Sequence, residues 1–183
     1  MSSRDQLSPF SYVVLILVGE GGAAPHDLIR MMRTGRVYWT AAPSHFYAEP
    51  KRLATLGYLS AHKEPGRTRE RTVYELTAKG RRALAAWLAE PSGFIRIQNE
   101  PAVRLLGADL ARNPAEVRTS LAAIRGEIEE LTEGLDRSAE IAPSLPHREG
   151  YLEINSRLSR RILTAFSDWL DEVERELSQE PRA

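Results

Sequence analysis

Pro43-Ser44-His45-Phe46-Tyr47-Ala48-Glu49-Pro50-Lys51-Arg52-Leu53-Ala54-Thr55-Leu56-Gly57 reads as a short amphipathic helix, and this helix together with the hairpin behind it decides the fold. Pro43-Ser44 is a helix start and Gly57 a stop. Phe46, Leu53 and Leu56 form an inward side, whereas His45, Tyr47, Glu49, Lys51 and Arg52 are read as outward. Pro50 falls inside the helix, where it removes one backbone hydrogen bond and predicts a bend. Directly downstream, residues 58–64 and 71–76 are two strand-type runs flanking Pro65-Gly66, which is a hairpin signature. The hairpin tip, Gly66-Arg67-Thr68-Arg69-Glu70-Arg71, carries three arginines in five residues.

Working outward, Ser8-Pro9 opens a first element whose apolar run, Tyr12 to Val18, suits a buried strand as well as a helix. Pro25 opens a second helix with Leu28, Ile29 and Met32 on its apolar side. Thr77 caps a further helix, Ala78 to Ala89, with Leu84, Trp87 and Leu88 on one side, and Glu90-Pro91-Ser92-Gly93 reads as a linker. Helix, helix, helix, charged hairpin, helix is the order of a winged helix-turn-helix. In that arrangement the third helix enters the major groove and the hairpin lies along the backbone. Arginines on a tight turn that cannot bury them suit phosphate contacts or minor-groove insertion, although a solvated loop has the same composition.

Charge supports a division at the linker. Of 183 residues, 25 are Lys or Arg and 25 Asp or Glu, yet residues 1–90 hold 13 against 8 and residues 91–183 hold 12 against 17. A basic half joined to an acidic half places the meeting with a polyanion at one end. Enzymatic readings fare badly. Zero cysteines exclude a thiolate zinc site, an iron–sulfur cluster and a cysteine nucleophile, and His26, His45, His62 and His147 have no ligand spacing. P-loop, G-x-S-x-G and G-x-G-x-x-G motifs are missing. Expected are no cofactor, no metal, no membrane span and a cytoplasmic location.

The second half is helical. Val117, Leu121, Ile124, Ile128, Leu131 and Leu135 repeat at 4, 3, 4, 3 and 4 residues, an apolar seam on one helix opened by Asn113-Pro114. A last helix from about Arg148 to Leu177 carries an apolar stripe too wide for one neighbour. Leu158, Ile162, Phe166, Trp169 and Val173 are the candidate contacts to a second subunit. Trp169 is also the aromatic expected to line a cavity.

Residues 43–59 resemble the third helix of PadR-like transcriptional regulators, with their Ser, Tyr, Lys-Arg-Leu and Leu-Gly pattern. Residues 69–84, with Tyr74-Glu75-Leu76-Thr77 and Gly80-Arg81, are similar to the second wing strand and fourth helix of that family. The resemblance covers about residues 7–90. The helical tail resembles that of longer members with a virulence-regulator-type C-terminal domain, on helix order alone. Pro50 departs from the pattern, where members have an aliphatic residue. The resemblance implies a mainly α protein: a winged helix-turn-helix with a two-stranded wing over residues 1–90, and a helical dimerisation or effector domain over 91–183. The first element is then a helix. It also implies a homodimeric repressor on double-stranded, pseudo-palindromic DNA, with a small-molecule effector in many members. Ser44, His45, Tyr47, Lys51, Arg52, Arg67, Arg69 and Arg71 are the candidate DNA contacts. His45 fits base reading and packing at the helix start equally well. The rival reading is a winged-helix protein–protein adaptor that no longer binds DNA, which Pro50 favours and the wing arginines oppose.

Overall fold

The computed structural model describes residues 6–37, 39–66, 70–95 and 97–178. They fall into two compact units, one holding residues up to Gly35 and Trp39–Gly93, the other Arg36–Tyr38 and residues from Phe94 onward.

In the first unit α1 spans Pro9–Val18, so the ambiguous apolar run is a helix. Ser8 and Ser11 close a reciprocal cap at its start, which satisfies backbone donors that the first turn leaves free. The run is apolar nearly all round because it is central. Val14, Leu15 and Val18 are buried on one side, and Tyr12 stacks on Trp87 of the fourth helix at 4.6 Å on another. α2 (Pro25–Met32) and α3 (His45–Thr55) pack on α1, and α4 (Ala78–Leu88) lies across it. Leu15, Leu28 and Leu53 meet in the centre at 0% exposure. Each such burial contributes about 1.5–3 kcal/mol.

β1 (Leu59–Glu64) and β2 (Arg71–Leu76) form the antiparallel wing, in register from Leu59 opposite Leu76 to Glu64 opposite Arg71. Gly57, at φ 75°, turns the chain out of α3 into β1 in a conformation that a side chain would strain. Gly80 allows α4 to approach the same corner, since a Cβ there would stand 2.1 Å from the Tyr58 carbonyl oxygen. Ala23 exchanges two 3.0 Å backbone hydrogen bonds with Tyr74, which fastens the α1–α2 loop to β2 as a one-residue third rung.

α3 runs through Pro50, whose ring is fully buried. The helix start also differs from expectation. Ser44 has helical dihedrals (φ −58°, ψ −32°) and makes no side-chain cap, because a turn at Ala42-Pro43 already leads into the helix.

The second unit comprises α5 (Glu100–Leu106), α6 (Pro114–Ala122), α7 (Ile124–Ile141) and α8 (Glu149–Ser178). The seam expected on one helix is divided between α6 and α7 at Ala123. Ala123 keeps near-helical dihedrals (φ −59°, ψ −23°), so the apolar register passes through the break. α8 packs along both. Leu121, Leu170 and Val173 form the core, with Val117, Ile124, Ile128 and Trp169 against it. Arg125 braces the outside, donating to Asp171 at 2.7 Å and Glu174 at 3.2 Å. One expectation changes here. Val173 is buried at 5% inside its own unit, so it offers no free surface to a second subunit. Trp169 packs on the same core, edge-on to Phe166 at 6.2 Å.

Candidate nucleic-acid interface

Helical geometry places Ser44, Tyr47, Ala48, Lys51 and Thr55 on one face of α3, four of them along i, i+3 and i+4 steps. All are exposed, with Tyr47 at 55%, while Phe46, Pro50 and Leu53 hold the opposite face in the core. The Thr55 hydroxyl donates back to the Lys51 carbonyl at 3.1 Å. Thr55 extends the outward stripe one turn beyond the residues expected from sequence. Its spacing of four from Lys51 and eight from Tyr47 is the signal that could have found it. This face presents one cation, one phenol and two hydroxyls, a set able to bond phosphate oxygens and base edges.

Two expected members of this face lie elsewhere. His45 sits around the helix from Tyr47 and Lys51, with its ring 6.0 Å from that of Phe10. Arg52 is turned along the flank, where Nε donates to Glu49 Oε2 at 2.9 Å and Nη2 to Glu49 Oε1 at 2.7 Å and Ser11 Oγ at 3.1 Å. Ser11, at 0% exposure, also donates to Glu49 at 2.6 Å. A buried hydroxyl requires partners, and this bidentate carboxylate–guanidinium pair supplies them while tying α3 to α1. Burial by itself would raise the Glu49 pKa, but the hydrogen bonds from Arg52 and Ser11 outweigh it and hold the carboxyl below its ordinary value.

At the start of α3, an open cleft of about 550 Å³ is lined by Ser8, Phe10, Trp39, His45 and Glu49 among others. At its far end, Lys79 donates to the Leu56 carbonyl at 2.7 Å and lies 4.3 Å over the Tyr58 ring. A cation there opposes the negative end of the helix dipole.

On the wing, Arg67 and Arg69 lie outside the described residues. Arg71 is described, and its guanidinium is engaged by Glu64 and Asp27 rather than turned to solvent alone. Two hydrogen bonds, from His62 and Arg71, hold Glu64 below the ordinary carboxylate value. Ser60, Ala61, His62 and Lys63 of β1 are exposed alongside.

No known protein-family profile and no curated protein matches this chain. Solved structures do. Bacillus subtilis PadR in complex with operator DNA superposes with a TM-score of 0.68 at 19% identity, over 93% of this chain and 98% of that one. The Vibrio cholerae virulence activator AphA gives 0.68 at 21% identity, over 92% and 97%. The protein smu.1604c of Streptococcus mutans gives 0.74 at 15% identity, over 98% and 100%. At such identities the likeness is one of fold: the chain has the winged-helix architecture of PadR-like regulators, helical tail included.

Proposed function

We propose that this protein is a DNA-binding transcription regulator that acts as a homodimeric repressor on a pseudo-palindromic operator. The observation that carries this reading is the exposed stripe Ser44–Tyr47–Lys51–Thr55, backed by a full core and set on the third helix of a winged helix-turn-helix. That helix docks in the major groove in such folds, and Lys51 and Tyr47 are the side chains in reach of base edges. Arg67 and Arg69 at the wing tip supply contacts to the phosphate backbone. PadR itself is known with operator DNA, and also with p-coumaric acid. By analogy, a small-molecule effector fits this chain too.

Two-fold assembly rests on α8. Tyr151, Ile154 and Leu158 are 73%, 56% and 52% exposed, and Ile162 continues their stripe beside the core-facing one. Apolar residues in a row on a long helix mark a protein-binding surface. A second copy satisfies it and places two recognition helices on two half-sites. The buried position of Pro50, away from the outward stripe, argues against the adaptor alternative.

A gel-shift titration against the DNA upstream of the protein's own gene tests the proposal. A discrete shift that survives excess mixed-sequence competitor is the expected result. Failure to bind this segment, together with failure to bind any mixed-sequence duplex at low salt, refutes it.

A further inference from the structure

Of the three wing arginines, Arg71 is the one whose surroundings are described, and they are anionic. Nη2 donates to Glu64 Oε2 at 3.0 Å, and Glu64 is its directly opposed partner across the hairpin. Nη1 donates to Asp27 Oδ2 at 3.4 Å, and Asp27 lies 44 residues earlier on α2. The Asp27 side chain is only 13% exposed. It also accepts from the Ala24 backbone at 3.3 Å and from Arg30 at 2.9 Å, with His26 at 3.3 Å. One guanidinium thus joins both wing strands to the first helix of the helix-turn-helix. The Ala23–Tyr74 backbone exchange makes the same junction a few residues further in.

We propose that Arg71 is a positioning residue, which braces the wing against α2 through Asp27 and Glu64 and does not itself touch DNA. The inference rests on the DNA-binding reading for its consequence, but not for the brace itself. An isolated two-stranded hairpin is marginal in water, so the direction of the wing depends on what its strands are tied to, and Glu64–Arg71 is the last rung before the turn. A guanidinium placed between two carboxylates is neutralised locally and is a poor counter-ion for a phosphate. Such a brace fixes how far the wing tip stands from α3, and so whether groove and backbone are engaged together.

Asp27→Asn separates the two roles, because asparagine keeps a cap acceptor for α2 while deleting the charge that holds Arg71. If Arg71 contacted phosphate, Asp27→Asn would remove a negative charge near DNA and leave binding equal or tighter. Arg71→Ala would then weaken binding additively with it. The brace predicts the opposite sign. Asp27→Asn and Arg71→Ala each weaken binding several-fold, Arg71→Lys fails to restore it, and the double variant is no worse than Arg71→Ala alone. Fluorescence anisotropy of the full chain with a mixed-sequence duplex reads this cycle. Amide exchange at Tyr74 and Ala23 reads the brace without DNA, and should quicken in both single variants. Unchanged exchange, or tighter binding by Asp27→Asn, overturns the inference. Lack of binding by the unaltered protein refutes only the DNA reading, and the exchange result then decides the brace.

Discussion

Lys51 and Tyr47 stand on the exposed face of α3 among the described residues, whereas Arg52 and His45 are drawn to its flank by Glu49, Ser11 and Phe10. A base-edge contact contributes about 1–3 kcal/mol of discrimination, and a phosphate contact contributes none. Lys51→Ala or Tyr47→Ala should therefore weaken binding to the operator by that amount and spare binding to mixed-sequence DNA. Anisotropy titrations with both duplexes check this, and equal losses on the two would assign these residues to positioning. Glu49 carries a separate expectation. Its pKa lies below the ordinary carboxylate value of 4.5, so its ionised form is favoured by folding. A group depressed in this way stabilises the fold above its unfolded pKa, and that contribution is lost as pH falls through the folded value. Glu49→Gln should accordingly be less stable than the parent at neutral pH, with the difference closing below 4.5. Denaturant unfolding at both pH values measures it, and a gap that persists in acid would trace the loss to packing instead.

At the scale of elements, helix order and the hairpin were readable because each depends on local signals. Ser8-Pro9, Pro43, Gly57, Pro65-Gly66 and Thr77 mark ends that the structure keeps to within a residue or two. What the periodicity of α3 could not show was which outward polar groups were already engaged. Arg52 falls at an outward angle, yet Glu49 one turn earlier on α3 and Ser11 of α1 together hold it at the flank. The burial of Pro50 was hidden for a related reason, since its lost hydrogen bond is a local property but the core that receives its ring is not. The wing supplies the prediction at this scale. Phosphate contacts release counter-ions, so each contact adds about 0.9 to the steepness of log affinity against log salt. Replacing Arg67 and Arg69 together with alanine should flatten that dependence by roughly two such steps and weaken specific and random binding alike. A slope identical to that of the parent would place the tip away from the backbone.

For the whole molecule, the proposed homodimer requires a surface that joins two copies. A single winged helix makes few base contacts, and tight binding comes from two on spaced half-sites. The core of the first unit is closed by its own helices and wing strands, from Val14 to Leu76, so a chain ending near Ser92 retains it. The exposed stripe of α8 is absent from such a chain. Sedimentation should therefore find the full chain dimeric and the shortened one monomeric, with the shortened one binding its operator poorly. A shortened dimer, or a full-length monomer that binds tightly, would remove α8 from this role.

The sequence by itself determined the succession of elements, the fold they make and the division into a basic and an acidic half, since turn residues, apolar period and charge are local properties of the chain. Only the tertiary structure decided which charged and polar side chains stay exposed and which are engaged by distant partners. Ser11 reaches Glu49 across 38 residues and Arg71 reaches Asp27 across 44, while Val173 is consumed in the core it shares with Leu121. Such partners are distant along the chain, and a short-range pattern carries no information about which surface will arrive to satisfy a buried hydroxyl or neutralise a guanidinium.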